Sequence, residues 1–159
     1  MIKGLHHNAY RCRDSEETRA FYEDVVGLEL AAALPITETK TGRPVRVMHT
    51  FFRMADGAFL AFFEVPGVDF DFKPQHDFDL HVALKADEAG VARATAAAKA
   101  RGLDIRGPID HEFIKSVYFR DPNGYVVELA VPTESHAAMT DPATNRAREI
   151  LGEWSRVEA

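Results

Sequence analysis

One order of elements occurs twice along these 159 residues, and that repeat limits the fold more than any other feature. A short alternating strand over about Leu5 to Cys12 precedes "DSEETRAFYEDVVG", which reads as a helix. Asp14 or Ser15 can cap it, acids fill its first turn, and Gly27 ends it. Phe21, Tyr22, Val25 and Val26 give this helix one apolar side. Strands follow over about 28–33, 45–53 and 59–65, with turns at "KTGRP" and "ADG". The order then returns: a strand from Phe78 to Lys85, and an Ala-rich helix "ADEAGVARATAAAKARG" ending at Gly102. A short strand near Leu103 to Arg106 and strands from Phe113 to Arg120 and Tyr125 to Val131 complete it.

Residues match between the copies. His7-Asn8-Ala9 corresponds to His81-Val82-Ala83, each opening a module. "FFRMADGAFLAFF" lies on "YFRDPNGYVVELA", with Phe52 on Phe119, Arg53 on Arg120, Gly57 on Gly124 and Ala61 on Glu128. The expected class is therefore α+β: two tandem β-α-β-β-β modules, about 3–66 and 77–132, in a single domain over 1–132 with a cleft between curved sheets. "GVDFDFKPQHDFD" between the modules reads as a lid or a linker. Residues 133–159 are expected to add a loop, "TESHAAMT", and a helix capped by Asp141 with Pro142 at its first position. Its stripe of Ala143, Ala147, Ile150, Leu151 and Trp154 suits packing against the domain or a second subunit, so a homodimer is expected.

The net charge of -6 argues against nucleic acid or an anionic membrane as the main partner. No apolar run approaches the roughly 20 residues that span a bilayer, and "MIKGLHHNAYRCRD" lacks a signal peptide's apolar region. Cys12 is the only cysteine, so no internal disulfide forms, and a cytoplasmic location is expected.

Chemistry concentrates in a few side chains. Alternation sends His6 and His7 to opposite faces, and the repeat selects His7 as the counterpart of His81. Glu128 stands in the apolar strand "YVVELAV", where an ionised carboxylate needs a positive partner. Arg11, Arg53 or Lys85 across the sheet would serve, and a histidine in such a strand is often only a hydrogen-bonded core residue. Two repeat-matched histidines and one carboxylate together favour a metal, and the set suits Fe(II) or Mn(II). Such a triad fills one face of an octahedral ion and leaves three adjacent positions open. Tyr118, ten residues before Glu128 across the "RDPNG" turn, falls on the adjacent antiparallel strand.

Tandem β-α-β-β-β modules, each opened by a histidine, with Glu in the last strand, resemble the vicinal oxygen chelate superfamily. It includes glyoxalase I, extradiol ring-cleavage dioxygenases, methylmalonyl-CoA epimerase and antibiotic-resistance proteins. The resemblance covers roughly residues 3–132. "HEFIKSVYFRDPNGYVVEL" is similar in particular to the extradiol signature, filled here by Ile109, His111, Val117, Tyr118, Asp121, Pro122, Gly124 and Glu128. The resemblance implies a one-domain extradiol dioxygenase that inserts O2 into an aromatic diol, with His7, His81 and Glu128 holding Fe(II) or Mn(II). It places His111 beside the substrate. One departure is Ala58, which stands where two-domain relatives carry an acid-base histidine; His49 on the neighbouring strand is the substitute candidate. Glyoxalase-type sites recruit a fourth ligand from the first module, at the place Ala61 holds here. Glu64, three residues along, faces the other way by alternation. A glyoxalase- or epimerase-type lyase or isomerase, and a metal-free binding protein, are the competing expectations.

Overall fold

The computed structural model describes residues 1–72, 76 and 78–154. The first module comprises β1 (His7–Cys12), α1 (Ser15–Phe21), β2 (Glu29–Glu38), β3 (Pro44–Arg53) and β4 (Phe59–Glu64). The second comprises β5 (His81–Lys85), α2 (Glu88–Ala100), β6 (Ile105–Asp110), β7 (Ile114–Arg120) and β8 (Val126–Pro132). Each module makes a four-stranded sheet, ordered β1-β4-β3-β2 and β5-β8-β7-β6, so the fold is α+β as expected. In both, the first strand runs parallel to the last and the other neighbours are antiparallel. The registers repeat as well: Phe51 faces Ala61 where Tyr118 faces Glu128.

Local chemistry explains the element ends. The Asp14 side chain accepts from the amides of Glu16 and Glu17, and Glu64 Oε2 accepts from Ser15 N at 2.8 Å, so α1 begins with its exposed donors satisfied. The helix then widens into a π turn over Tyr22–Val26, which the apolar pattern did not reveal, before Gly27 ends it at φ 90°. β2 runs on through Pro35 because it is an edge strand, where a missing amide donor costs nothing. β5 begins at His81 rather than Phe78, whose side chain is exposed. β6 is longer than expected and carries a bulge between Arg106 and Ile109. Gly107 permits it: φ is +115°, and a Cβ would lie 2.6 Å from the carbonyl oxygen of Ser116.

The C-terminal segment departs from expectation. "TESHAAMT" is not a loop throughout but contains α3 (His136–Thr140). Asp141 does not cap a helix beginning at Pro142; its side chain accepts from Ala143 N in a turn, and α4 (Ala147–Trp154) begins after Asn145, whose side chain accepts from Ala147 N. Ile150, Leu151 and Trp154 are exposed, so the stripe is not buried among the described residues. Of the inter-module lid or linker, residues 73–75 and 77 lie outside the described residues, as do 155–159, which the sequence pattern assigned to the final helix. What is described of the linker lies against β1 and its end, with the Arg11 guanidinium 5.3 Å from the Phe70 ring and that of Arg13 4.3 Å from Phe72.

The modules share one core. Cys12, Phe52, Leu60, Phe62, Leu84, Val117, Phe119, Val127 and Leu129 point inward from the two sheets onto Phe21, Tyr22 and Val25 and onto Ala94 and Ala98 of α2. Each large side chain here contributes roughly 1.5–3 kcal/mol by leaving water. A polar joint ties the halves: the Tyr22 hydroxyl donates to Asp121 Oδ2 at 3.1 Å, and Asn123 Oδ1 accepts from Arg13 N at 2.8 Å. The "RDPNG" turn is thus more than a hairpin connection. Asp121 is buried and also accepts from the amides of Asn123 and Tyr125. Among the described residues no helix is long and apolar enough to cross a membrane.

Candidate metal centre

Because inward residues of β5, β7 and β8 alternate with outward ones, the second sheet's outer face collects His81, Ser116, Tyr118 and Glu128. Registers align one row across all four strands: Arg106 on β6, Tyr118 on β7, Glu128 on β8 and Ala83 on β5. Glu128 is 3 % exposed. Its Oε1 accepts a short hydrogen bond from Ser116 Oγ, and its Oε2 lies 3.1 Å from His81 Nε2. Two donors each about 2.1 Å from one octahedral ion, at right angles, stand about 3 Å apart. The pair fits a shared divalent ion, and a neutral imidazole with a carboxylate is a donor set that Mn(II) and Fe(II) accept.

Beside this pair, His111 Nε2 lies 2.9 Å from the Tyr118 hydroxyl. Burial first, and then the Glu128 charge, push the Tyr118 phenol above the ordinary tyrosine range, while the Arg106 cation pulls it back. The phenol is therefore a proton donor at neutral pH. Arg106 places its guanidinium carbon 4.6 Å from the centre of the Tyr118 ring.

The equivalent face of the first sheet carries His7, His49 and Phe51. His49 is 8 % exposed and stacks on Phe63 with ring centres 3.6 Å apart. Its Nδ1 donates to the carbonyl of Phe62 at 2.9 Å, which fixes the tautomer and leaves Nε2 as the accepting nitrogen. The His7 ring lies 6.3 Å from that of His49 and 5.5 Å from Phe51. His6 precedes β1 and so escapes strand alternation: its Nδ1 is 2.7 Å from His7 Nδ1, not turned to the opposite face.

The sequence reading expected His7, His81 and Glu128 to meet in one cleft. Within a single chain they do not: among the described residues no group of three His, Cys, Asp or Glu side chains could hold a metal ion. The cause lies in the shared core, which takes the inner faces of both sheets and leaves the faces bearing His7 and His81 turned away from it. For the same reason His49 sits with His7, not with Tyr118 and Glu128. Glu64 is turned inward and holds the start of α1.

Ser116 and Arg106 were missed in the sequence. Ser116 was legible, since it lies two residues before Tyr118 and so on the same strand face. Arg106 was not, because its pairing with Tyr118 depends on where the Gly107–Pro108 bulge falls.

A family model described as the Glyoxalase/Bleomycin resistance protein/Dioxygenase superfamily matches residues 4–129. Among solved structures, a mutant of the fosfomycin resistance protein FosX of Listeria monocytogenes, complexed with Mn(II) and 1S,2S-dihydroxypropylphosphonic acid, superposes with a TM-score of 0.61 at 22% identity, covering 87% of this chain and 99% of that one. A glyoxalase/dioxygenase of Nostoc punctiforme gives 0.61 at 26% identity, covering 83% and 92%. TnmS3, an antibiotic binding protein of Streptomyces sp. CB03234, gives 0.60 at 23% identity, covering 83% and 98%. A search of curated proteins gave no match. With its two repeated sheets and a match over nearly the whole span from β1 to β8, the chain belongs to the glyoxalase/bleomycin resistance protein/dioxygenase superfamily.

Proposed function

We propose that this chain is an extradiol-type dioxygenase that opens an aromatic diol with O2, and that residues 1–132 form a single domain working as a homodimer. The observation that carries the reading is the contact of His111 with Tyr118 on the strand facing Glu128, which gathers the distinctive residues of the extradiol signature on one sheet face. The half-sites complement each other. Among the described residues no third His, Cys, Asp or Glu joins His81 and Glu128 in a metal group, and none forms one with His7. A twofold dimer in which the first module of one protomer faces the second module of its partner supplies both sites at once.

Fe(II), or alternatively Mn(II), would be held there by His81, Glu128 and the partner's His7, and supplies when bound a common position for both diol oxygens and O2 while lowering the diol's pKa. Glu128 is oriented for that role by Ser116. Tyr118 donates its hydroxyl hydrogen to a deprotonated diol oxygen, and His111, exposed at the edge of the face, passes protons between that hydroxyl and water. In the dimer the partner's His49, whose Nδ1 donates to a backbone carbonyl, would take a diol proton on Nε2 from the apolar side. Ala61 and Phe51 leave no fourth ligand, which favours ring cleavage over a glyoxalase-type reaction.

The test is oxygen uptake. Protein loaded anaerobically with Fe(II) is expected to consume one O2 per diol across a catechol panel and yield a yellow ring-fission product. Tyr118→Phe should lower kcat by about 10–100-fold. Metal-loaded protein that consumes no oxygen with any diol would overturn the reading.

A further inference from the structure

We infer that His6 is a positioning residue of the metal centre: its Nδ1 accepts the Nδ1 hydrogen of His7 and so keeps the His7 Nε2 bare for the ion. The inference rests on the reading of His7 as the ligand that one protomer lends to the partner's His81 and Glu128. The two Nδ1 atoms lie 2.7 Å apart. At that distance two neutral rings share a single hydrogen, so one Nδ1 donates and the other accepts. If His6 donated, His7 would carry its own hydrogen on Nε2 and have no lone pair there to offer. If His7 donates, its Nε2 is the open nitrogen. The repeat indicates which nitrogen is required. His81, which opens the second module as His7 opens the first, turns its Nε2 toward Glu128, 3.1 Å from Oε2.

His6 is held where this bond needs it. Its carbonyl oxygen accepts from Phe59 N at 2.9 Å, and its ring centre lies 6.0 Å from that of Phe59. The same Phe59 pairs with His7 in the register of β1 on β4, so both histidines are tied to one point of the first sheet. Their rings meet edge to face, with planes at 77°. Of the other rings around His7, Phe51 has no polar atom. The His49 ring is 6.3 Å away and has given its Nδ1 hydrogen to the Phe62 carbonyl. A partner on the second nitrogen sets both the tautomer and the orientation of a metal-bound histidine. His7 has particular need of one, since Ala61 stands on β4 where Glu128 stands beside His81. The residue before His81 is Leu80, which has no polar side-chain atom, so this contact belongs to the first module alone.

Two measurements test it on the full chain. Imidazole nitrogen NMR, on metal-free protein and then with diamagnetic Zn(II), reads which ring nitrogen carries each hydrogen. One hydrogen is expected between the two Nδ1 atoms without metal; with Zn(II) it is expected on the His7 Nδ1, with Zn(II) on the His7 Nε2. Mn(II) affinity is measured by calorimetry. His6→Ala should weaken it by about 10–100-fold. His6→Asn, whose Oδ1 can accept from close to where Nδ1 stands, should recover most of that loss. No hydrogen on either Nδ1 in the metal-free protein, Zn(II) on the His7 Nδ1, or an unchanged affinity in a folded His6→Ala variant overturns the inference. His6→Asn as weak as His6→Ala would make the His6 ring itself a ligand and overturn it too. His7→Ala decides the underlying reading separately: metal binding that is absent from the unaltered protein, or untouched by this variant, overturns His7 as a ligand and the role of His6 with it.

Discussion

The two sheets are built to one pattern and filled with opposite chemistry. In the second, the row through β6, β7, β8 and β5 reads Arg106, Tyr118, Glu128, Ala83; in the first, the row through β2, β3, β4 and β1 reads Ala32, Phe51, Ala61, Ala9. A charged row and an apolar row thus occupy equivalent positions, while the histidine that opens each module, His7 or His81, is kept. His49 stands where Ser116 stands. Duplication supplies two copies of one surface, and divergence fills them differently; on the proposed dimer reading each is one wall of a pocket. The second, wet face has a carboxylate, a phenol, a cation and His81; the first, dry face has His7, His49 and aromatic side chains.

Separating the walls between protomers gives the largest expected effect. His7→Ala and Glu128→Ala should each abolish metal binding and turnover, although in one chain the two residues sit in different half-sites. Mixing the two inactive proteins by co-expression should restore activity to about a quarter of the unaltered level. Half of randomly assorted dimers are mixed, and each has one intact site of two. Recovery of nothing, with mixed dimers demonstrated by mass, would place the whole site in one chain.

Making the dry face wet should be the next most damaging change. Ala61 is fully buried and packs where Glu128 lies in the other sheet. Ala61→Glu puts a carboxylate there with His7 as the only matching partner and without the serine that orients Glu128, because His49 holds that place and already gives its Nδ1 hydrogen to Phe62. A destabilisation of about 3 kcal/mol is expected from urea unfolding of metal-free protein. A variant as stable as the parent would mean that the first face tolerates charge, and that its apolar row is incidental.

The repeat was legible because it rests on strand alternation and turn residues, which are local. His7 with His81, and Ala61 with Glu128, follow from counting alone, and the structure holds them in equivalent registers. The π turn after Phe21 was hidden, since an extra residue in one turn leaves the apolar pattern almost unchanged. The start of α4 was misplaced because Asp141 and Pro142 are as good for a turn as for a helix start. Where the two open faces point was beyond the sequence. Both faces of each sheet carry apolar residues, and only the packing of α1 and α2 decides which one becomes the core.

The joint between the modules separates them more gently. The turn of the first module has Met54 where the second has Asp121, so only one side offers the carboxylate that takes the Tyr22 hydroxyl. Burial chiefly, and then the charge of Asp121, raise the Tyr22 phenol far above its ordinary range. Tyr118 and Tyr125 are raised as well, again mainly by burial. A folded pKa above the unfolded one keeps stability constant below the unfolded tyrosine's pKa near 10 and removes it as pH rises further. Alkaline unfolding is expected above about pH 10. Tyr22→Phe should flatten that slope while lowering neutral stability by about 1 kcal/mol, the worth of one hydrogen bond. An unchanged alkaline slope would remove Tyr22 from this account.

The smallest effect concerns the two carboxylates at the last strand of each module. Glu64 and Glu128 are both Glu in apolar strands, and composition cannot tell ligand from cap. Alternation can: Glu64 shares parity with the buried Leu60 and Phe62 and so turns inward, where its Oε2 meets the amide of Ser15 at the start of α1. Glu128 has the parity of the outward Tyr118 partner row. In Glu64→Gln the amide oxygen can still accept from Ser15, and only the charge near the helix start is lost, about 0.5 kcal/mol. Metal content should stay at the unaltered level, whereas Glu128→Gln should lose the metal while keeping its fold. If Glu64→Gln lost metal and activity instead, the first module would be contributing the fourth ligand of a glyoxalase-type site. The contrast between a dry and a wet face would then be wrong where it matters most, in how many coordination positions are left for substrate and O2.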